Sequence, residues 1–121
     1  MKPARAVVSR WDALATDEPM PGVQRQRVIG AQAMISRVHL AAGVHVPTHS
    51  HANEQFGVVV SGRIRFGLGA DSSPDRWEAT LSAGEVIHLP ANYPHSADAL
   101  EDTLILDIFS PPSAGTGLDR K

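Results

Sequence analysis

The most constraining feature of this sequence is a pair of histidines, His49 and His51, that a single residue separates. In an extended strand, side chains two residues apart leave the same face, so both imidazoles would point in one direction. In a helix the two rings would diverge, because side chains share a face there at spacings of three or four. Valines on both sides, including the run 58–60, favour strand over helix. We therefore predict that this pair lies in β-structure, with the two rings close enough to share one metal ion. The alternative is a pair of ordinary core or surface histidines.

Two further side chains are candidate ligands for the same ion. Gln55 follows His51 at an even offset, so a strand that continued through this stretch would place its amide on the same face. The alternative is that Gln55 is a weak or absent ligand. His95, in the segment 84–99, is the donor that another part of the chain would supply. Imidazole and amide ligands without thiolates suit one divalent transition metal, Fe, Mn, Ni, Zn or Cu.

The spacing of these residues resembles the first motif of the cupins. That motif is Gly, five residues, His-x-His, three or four residues, an acidic ligand, six residues and Gly. The residues that fall on this spacing are Gly43, His49, His51, Gln55 and Gly62, with glutamine in place of the usual glutamate.

The second cupin motif is Gly, five residues, Pro-x-Gly, two residues, His, three residues and Asn. Gly84, Pro90 and His95 match it, whereas Asn92 replaces the second glycine and Ala99 replaces the asparagine. The resemblance covers about residues 28–110.

The cupin resemblance implies an all-β fold, a double-stranded β-helix or jelly-roll barrel, as a single domain over residues 1–121. It implies a metal inside the barrel mouth with the ligands His49, His51, Gln55 and His95. It also implies a homodimer, because the N-terminal strand of cupins often pairs with a neighbouring subunit. The run 6–8, Ala-Val-Val, is a short strand candidate there.

Asp107 is a carboxylate inside the apolar run 103–109. Such a group is costly in a strand unless it is solvated, paired or functional. It shares its strand face with Thr103 and Phe109, so it looks into the metal cavity if that face lines the barrel. There it would exchange a proton with a substrate. The alternative is an Asp that faces solvent or pairs with an arginine.

Among cupins, the chain looks most like the small group that includes the pectin-degradation cupins, which convert 4,5-unsaturated uronates to open-chain keto forms. The resemblance implies an acid/base role for Asp107 and a pocket-shaping role for Phe109. That group typically has an arginine shortly after the two prolines, where this chain has Ser113. Arg37 is the candidate substitute in the substrate pocket, with Arg63 or Arg65 as alternatives. Tyr93, beside His95, is either a hydrogen-bond donor at the rim or a packing residue.

Elsewhere in the chain, apolar and polar residues alternate over short stretches, and turn-forming residues separate these stretches about every ten residues. This pattern indicates a β-sandwich or barrel. Residues 16–22 contain two prolines and a glycine and predict an exposed turn. Residues 23–42 predict two strands around Gly30, and residues 103–109 predict the last strand. Beyond them, residues 111–117 predict a loop-forming tail.

Composition excludes several classes of partner. The formal net charge is −2, so there is no basic footprint for nucleic acid or an anionic membrane. The chain has no cysteine, and no apolar run approaches the length of a membrane span. No secretory signal is apparent at the N-terminus, so the expectation is a cytoplasmic protein.

The functional expectation is a metal-dependent enzyme that performs proton transfer, of isomerase or lyase type, on a small oxygenated or carboxylated molecule such as an unsaturated sugar acid. Two alternatives stay open at this point. One is a metal-dependent dioxygenase, and the other is a non-catalytic binding or sensor module for a small molecule.

Overall fold

The computed structural model describes residues 5–118 and shows an almost entirely β-structure. A short 3-10 helix spans Trp11–Ala13. The strands are β1 (Asp17–Met20), β2 (Val23–Ile29), β3 (Met34–Leu40), β4 (His45–His49), β5 (Glu54–Ser61), β6 (Arg63–Leu68), β7 (Trp77–Ser82), β8 (Val86–Leu89), β9 (His95–Ala99) and β10 (Thr103–Ser110).

These strands form two sheets, with antiparallel pairing throughout. The six-stranded sheet has the order β1-β2-β3-β10-β5-β8, and the four-stranded sheet has the order β4-β9-β6-β7. Strands distant in sequence are neighbours: β10 lies between β3 and β5, and β9 lies between β4 and β6. This is the all-β jelly-roll barrel that the motifs predicted.

The core lies between the sheets and is built from alternate residues of each strand. Ile64, Leu89, Val23, Val38 and Val46 are among its most completely buried side chains. Burial of each such side chain stabilises the fold by roughly 1.5–3 kcal/mol. The core fills most of the barrel and leaves the polar side chains at one end.

Strand β10 shows how the alternation positions the site. Its inner face carries Thr103, Ile105, Asp107 and Phe109, all of which are buried, while Leu104, Leu106 and Ile108 face outward. Asp107 is therefore an inward-facing carboxylate in the middle of the six-stranded sheet.

Two N-terminal segments differ from expectation. The predicted strand at residues 6–8 is wrong, because residues 5–10 have no regular secondary structure. The predicted turn at 16–22 is partly a strand, β1, which pairs with β2 around Gly22. Pro19 is tolerated there because β1 is an edge strand and its missing N–H breaks no ladder. The two strands predicted around Gly30 are confirmed as β2 and β3.

No helix within residues 5–118 is long and apolar enough to cross a membrane.

Candidate metal centre

Three histidines converge at one end of the barrel. His49 ends β4, His95 begins β9 opposite it, and His51 lies in the loop that leads to β5. One ring nitrogen from each lies within 4.8 Å of the other two. The ring centroids of His49 and His95 are 4.3 Å apart, and those of His51 and His95 are 5.1 Å apart.

The local structure that brings them together is a turn between sheets rather than one continuous strand. β4 ends at His49, residues 50–53 form a loop, and Gln55 lies in β5 of the other sheet. The expectation that His49, His51 and Gln55 share a face of one continuous strand is therefore wrong. They meet because the chain crosses from the four-stranded to the six-stranded sheet between them.

Each of the three imidazoles is oriented by a backbone carbonyl. Nδ1 of His49 lies 2.8 Å from the Pro47 oxygen, Nδ1 of His51 lies 3.1 Å from the Asn53 oxygen, and Nδ1 of His95 lies 2.8 Å from the Tyr93 oxygen. A carbonyl oxygen only accepts, so each of these contacts favours the tautomer with the proton on Nδ1, in which Nε2 has the lone pair. Such partners fix the tautomer that binds a metal.

Gln55 adds an oxygen to this group. Its Oε1 lies 3.1 Å from Nε2 of His51. In the tautomer with the proton on Nδ1, the lone pairs of Nε2 and Oε1 face each other across this gap, and a cation between them would remove the repulsion. Three imidazole nitrogens and one amide oxygen form a donor set that fits a borderline divalent ion.

Burial keeps two of these rings, His49 and His95, in the neutral form that binds metal. It lowers the pKa of His95 to about 4, against the opposing effect of the hydrogen bond to the Tyr93 carbonyl, and the neighbouring His49 and His51 lower it further. Burial also lowers the pKa of His49, and hydrogen bonds to the backbone of Pro47 and Thr116 oppose the shift. His49 and His95 are therefore neutral at neutral pH, as metal ligation requires.

Asp107 lies beside the histidines and is linked to them through Gln55. Nε2 of Gln55 donates a 2.9 Å hydrogen bond to Oδ1 of Asp107. Burial raises the pKa of Asp107 to about 7, and the hydrogen bond from Gln55 partly opposes this rise. On the adjacent strand, a side chain at Gly57 would begin 3.1 Å from Asp107 Oδ1, so glycine leaves room for the carboxyl group. A carboxyl group that titrates near pH 7 both accepts and returns protons readily.

The cavity at the site has a free volume of about 40 Å³, enough for a few water molecules. Its polar lining consists of His49, Gln55, His95, Asp107 and Thr116. Phe109 lies in the apolar wall, as expected, and its ring centroid is 5.7 Å from that of His51. No lysine or arginine is among the described residues that line it.

Residues 113–118, which we call the C-terminal segment, close the mouth of this cavity. The Asn53 amide contacts the Ser113 hydroxyl, and Nη1 of Arg27 donates to the Ala114 carbonyl over 3.1 Å. Thr116 is buried against the cavity, and a Cβ atom at Gly117 would collide with the ring of His49. Gly117 also has a φ of +96°, so only glycine fits there.

Arg37 and the alternative arginines lie away from the cavity. The expectation for Arg37 is wrong because Ser36 and Val38 take the inward positions of β3, and Arg37 lies on the outer face with Nη1 3.1 Å from Gln26 Oε1. Arg63 and Arg65 lie on the outer face of the four-stranded sheet, where Arg65 is 3.6 Å from Glu78 and from Asp98.

Tyr93 contributes to the metal centre through its backbone rather than through its side chain. Its carbonyl orients His95, whereas its side chain packs against the core and lines a separate groove with Leu68 and Trp77. Sequence reasoning missed the roles of Asn53, Gly57 and Thr116, since only contacts between distant parts of the chain reveal them.

Residues 36–109 match the family model of the cupin domain, so this chain belongs to the cupin family. KdgF from Halomonas sp. is similar in structure, with a TM-score of 0.81 and 26% identity over 91% of this chain and 97% of that one. A RmlC-like cupin from Shewanella frigidimarina has a TM-score of 0.80 and 21% identity, over 91% of this chain and 95% of that one.

Larger cupin proteins share the fold as well. Oxalate decarboxylase from Lactobacillus farciminis, solved as a formate complex, has a TM-score of 0.75 and 18% identity, over 92% of this chain and 36% of that one. No curated protein matches the chain.

Proposed function

We propose that this protein is a metal-dependent enzyme that moves a proton within a small oxygenated or carboxylated molecule, with Asp107 as the acid and base. The observation that carries this proposal is the 2.9 Å hydrogen bond from Gln55 to Asp107, which holds a buried carboxyl group beside the three histidines. The likeness to KdgF over nearly the whole of both chains supports the same class of chemistry.

In this proposal, Nε2 of His49, His51 and His95 and Oε1 of Gln55 hold one divalent ion, Fe, Mn, Ni, Zn or Cu. The ion would act as a Lewis acid on a substrate oxygen. Because all four ligands are neutral, they leave its positive charge uncancelled. The pairing of Nδ1 with backbone carbonyls supports these roles, since it leaves Nε2 of each ring as the nitrogen available to a metal.

Asp107 accepts a proton that the polarised oxygen has made acidic, from a hydroxyl group or from the carbon beside the carbonyl carbon, and returns it to another atom of the same molecule. Burial raises the pKa of Asp107 to about 7 in the metal-free protein, and a pKa raised toward neutrality suits a group that both accepts and returns a proton. Gln55 orients the carboxyl group through its amide, and Phe109 forms an apolar wall that excludes water. The net reaction is an isomerisation, without an oxidant or a reductant.

The cavity restricts the substrate. Thr116 is buried against the cavity and Gly117 lies against His49, so in this proposal the C-terminal segment moves aside to admit a substrate. Unsaturated uronates are the first compounds to test because of the resemblance to the pectin-degradation cupins. No lysine or arginine side chain is among the described residues that line the cavity. Uncharged relatives of these sugars are therefore the second set of compounds to test.

The test uses metal-loaded wild-type protein and the Asp107→Asn variant with both sets of compounds. We expect wild-type turnover without oxygen consumption, and a loss of at least about a hundredfold in Asp107→Asn, the range for a general acid or base. Metal content should be unchanged in that variant. Asp98→Asn, which alters a carboxylate on the outer side of β9, is the matched control and should keep full activity.

The other outcomes identify the alternatives. Retained turnover in Asp107→Asn would rule out the role of Asp107. Oxygen consumption that depends on substrate would indicate a dioxygenase. Tight binding of a compound without turnover, in the presence of bound metal, would indicate a binding module.

A further inference from the structure

The loop between β6 and β7, residues 69–76, is attached to strand β9 by Arg76. The Arg76 side chain is only 23% exposed, and its Nη2 donates a 2.8 Å hydrogen bond to the hydroxyl of Ser96. Its Nη1 donates to the carbonyl of Gly69 and lies 3.5 Å from Oδ1 of Asp71. One guanidinium group thus joins both ends of the loop to the strand that carries His95.

Asp71 extends this connection to strand β4. Its Oδ1 accepts a hydrogen bond from the hydroxyl of Thr48. A continuous set of polar contacts therefore runs from Thr48 through Asp71 and Arg76 to Ser96. We call these four side chains the outer brace.

Each end of the outer brace is the immediate neighbour of a candidate metal ligand. Thr48 precedes His49, and Ser96 follows His95. Adjacent side chains of a strand point to opposite faces. His49 and His95 line the cavity, whereas Thr48 and Ser96 contact the loop on the other side of the sheet. The loop therefore holds from outside the same two strands that present the imidazoles inside.

A glycine makes room for this arrangement. Arg76 lies over Gly67 of β6, where a Cβ atom would collide with Nη2 of Arg76 and with the hydroxyl of Ser96. The backbone N–H of Gly69 also donates a 2.9 Å hydrogen bond to the carbonyl of Pro94, the residue before His95. The loop is thus fixed to β9 on both sides of that histidine.

The end of β4 depends on such support more than the other strands of its sheet do. β4 is an edge strand, so only β9 pairs with it, and the register of that pair shifts between Val46 and His49. His49 and His95 are register partners just beyond the shift. A metal site needs its ligands within about 0.5 Å and 10–20° of the required geometry. An irregular ladder on one side restrains the position of His49 weakly.

We propose that Arg76 is a positioning residue of the metal centre, which fixes β4 and β9 relative to each other and so sets the separation of His49 and His95. A guanidinium group suits this task because its donors lie in one plane and point in several fixed directions, so that it contacts Ser96, Gly69 and Asp71 at once. The inference rests on the metal centre of the proposed function, but not on Asp107 or on the reaction.

The first test is Arg76→Met, which removes the guanidinium group and keeps a long side chain. We expect Zn(II) affinity, measured against a chromophoric chelator, to fall at least about tenfold, the lower end of the loss for an outer-shell partner of a ligand. At saturating Co(II), the visible absorption bands of the variant should differ from those of the wild type, because the ligands adopt a different geometry. A loss of stability alone would leave the spectrum of the saturated protein unchanged.

The matched control is Arg65→Met. It removes the same charge from the same outer face, where Arg65 lies 3.6 Å from Glu78 and from Asp98, and it leaves the outer brace intact. We expect wild-type affinity and a wild-type Co(II) spectrum in this variant.

Gly67→Ala tests the same inference without a change at Arg76. Gly67 lies within a regular strand, so alanine suits its backbone, but the new methyl group displaces the guanidinium group from Ser96. We expect the same direction of change in affinity and in the Co(II) spectrum as in Arg76→Met. The double variant Thr48→Val/Ser96→Ala, which removes both hydroxyl groups at the ends of the outer brace, should act likewise.

Unchanged affinity and unchanged Co(II) spectra in Arg76→Met and Gly67→Ala would overturn the inference, and so would an equal loss in Arg65→Met. If Arg76→Met misfolds, Gly67→Ala and the double variant decide by the same two measurements. A wild type that binds no ion at the histidines would instead overturn the metal centre of the proposed function. The ring-proton NMR shifts of His49 and His95 in metal-free protein then test the outer brace. They should change in Arg76→Met but not in Arg65→Met, and identical shifts in wild type and Arg76→Met would overturn the role of Arg76.

Discussion

The side-chain amide of Gln55 joins Asp107 to the histidine cluster, since its Nε2 donates a 2.9 Å hydrogen bond to Asp107 Oδ1. The same amide directs Oε1 toward Nε2 of His51 at 3.1 Å. A glutamate in this position would have no N–H to donate and would place a second carboxylate against Asp107. Glutamine thus combines a neutral metal ligand with a donor that holds the carboxyl group.

Gln55→Ala tests this double role. Removal of the amide takes away the oxygen ligand and the hydrogen bond to Asp107. We therefore expect metal affinity to fall at least about tenfold, the lower end of the loss seen when only an outer-shell partner of a ligand is removed. The measurement is competition with a chromophoric chelator. Gln24→Ala, which changes an exposed glutamine on the outer face of β2, should bind metal as the wild type does. Equal affinity in both variants would show that Gln55 is not a ligand.

The lowered pKa of His95 predicts that the metal-free protein loses stability in acid. Folded His95 titrates at about 4 and the unfolded residue at 6.5, so the unfolded state takes up its proton first. The free energy of unfolding contributed by His95 is complete above pH 6.5 and declines as the pH falls from 6.5 to 4. Urea titrations of chelator-treated protein at pH 7 and pH 5 measure this decline. It should be smaller in His95→Gln, and an equal decline in both proteins would contradict the assignment.

The raised pKa of Asp107 predicts the opposite dependence of stability on pH. Its pKa is about 7 in the folded protein and 3.8 in the unfolded chain, so the folded state retains its proton to higher pH. Metal-free wild type therefore loses stability as the pH rises from 3.8 to 7. Asp107→Asn, which carries no charge and keeps an acceptor for Gln55, should be more stable than wild type at pH 8. The difference should shrink toward pH 4, and a variant less stable at pH 8 would be inconsistent with a buried, destabilised carboxylate.

Gly117→Ala tests whether the C-terminal segment closes the metal site. A Cβ atom at this position would collide with His49, so the segment can no longer seat against the ring. We expect a chelator to remove bound metal at least about tenfold faster, since a lid displaced from its site opens a path for water and ligand. The absorbance of Co(II)-loaded protein follows the loss. Gly115→Ala, at an exposed position of the same segment, is the control, and equal rates in both variants would show that the segment does not limit access.

The sequence predicted the parts of this fold that depend on local periodicity and on motif spacing. Alternation in 103–109 placed Asp107 and Phe109 on one face, and the paired motifs predicted the convergence of His95 on the His49–His51 pair. Both depend on strand geometry, which repeats every two residues.

What the sequence did not predict depends on contacts between distant segments. The turn at residues 50–53 changes sheets, and no alternation pattern reveals that change. The outward direction of Arg37 follows from the burial of Ser36, a small polar residue that gives no hydrophobic signal of its own. The composition of residues 111–117 predicts only a loop. It does not reveal that this loop turns back and places Gly117 against His49.

The central claim is that one divalent ion binds at the point where the three Nε2 atoms and Gln55 Oε1 converge. The most direct test is a crystal structure of metal-loaded protein with anomalous data at the metal edge. We predict one strong anomalous peak at about 2.0–2.2 Å from Nε2 of His49, His51 and His95. An anomalous peak located elsewhere, or metal-loaded protein with no peak among these rings, would contradict the claim that the ion binds there.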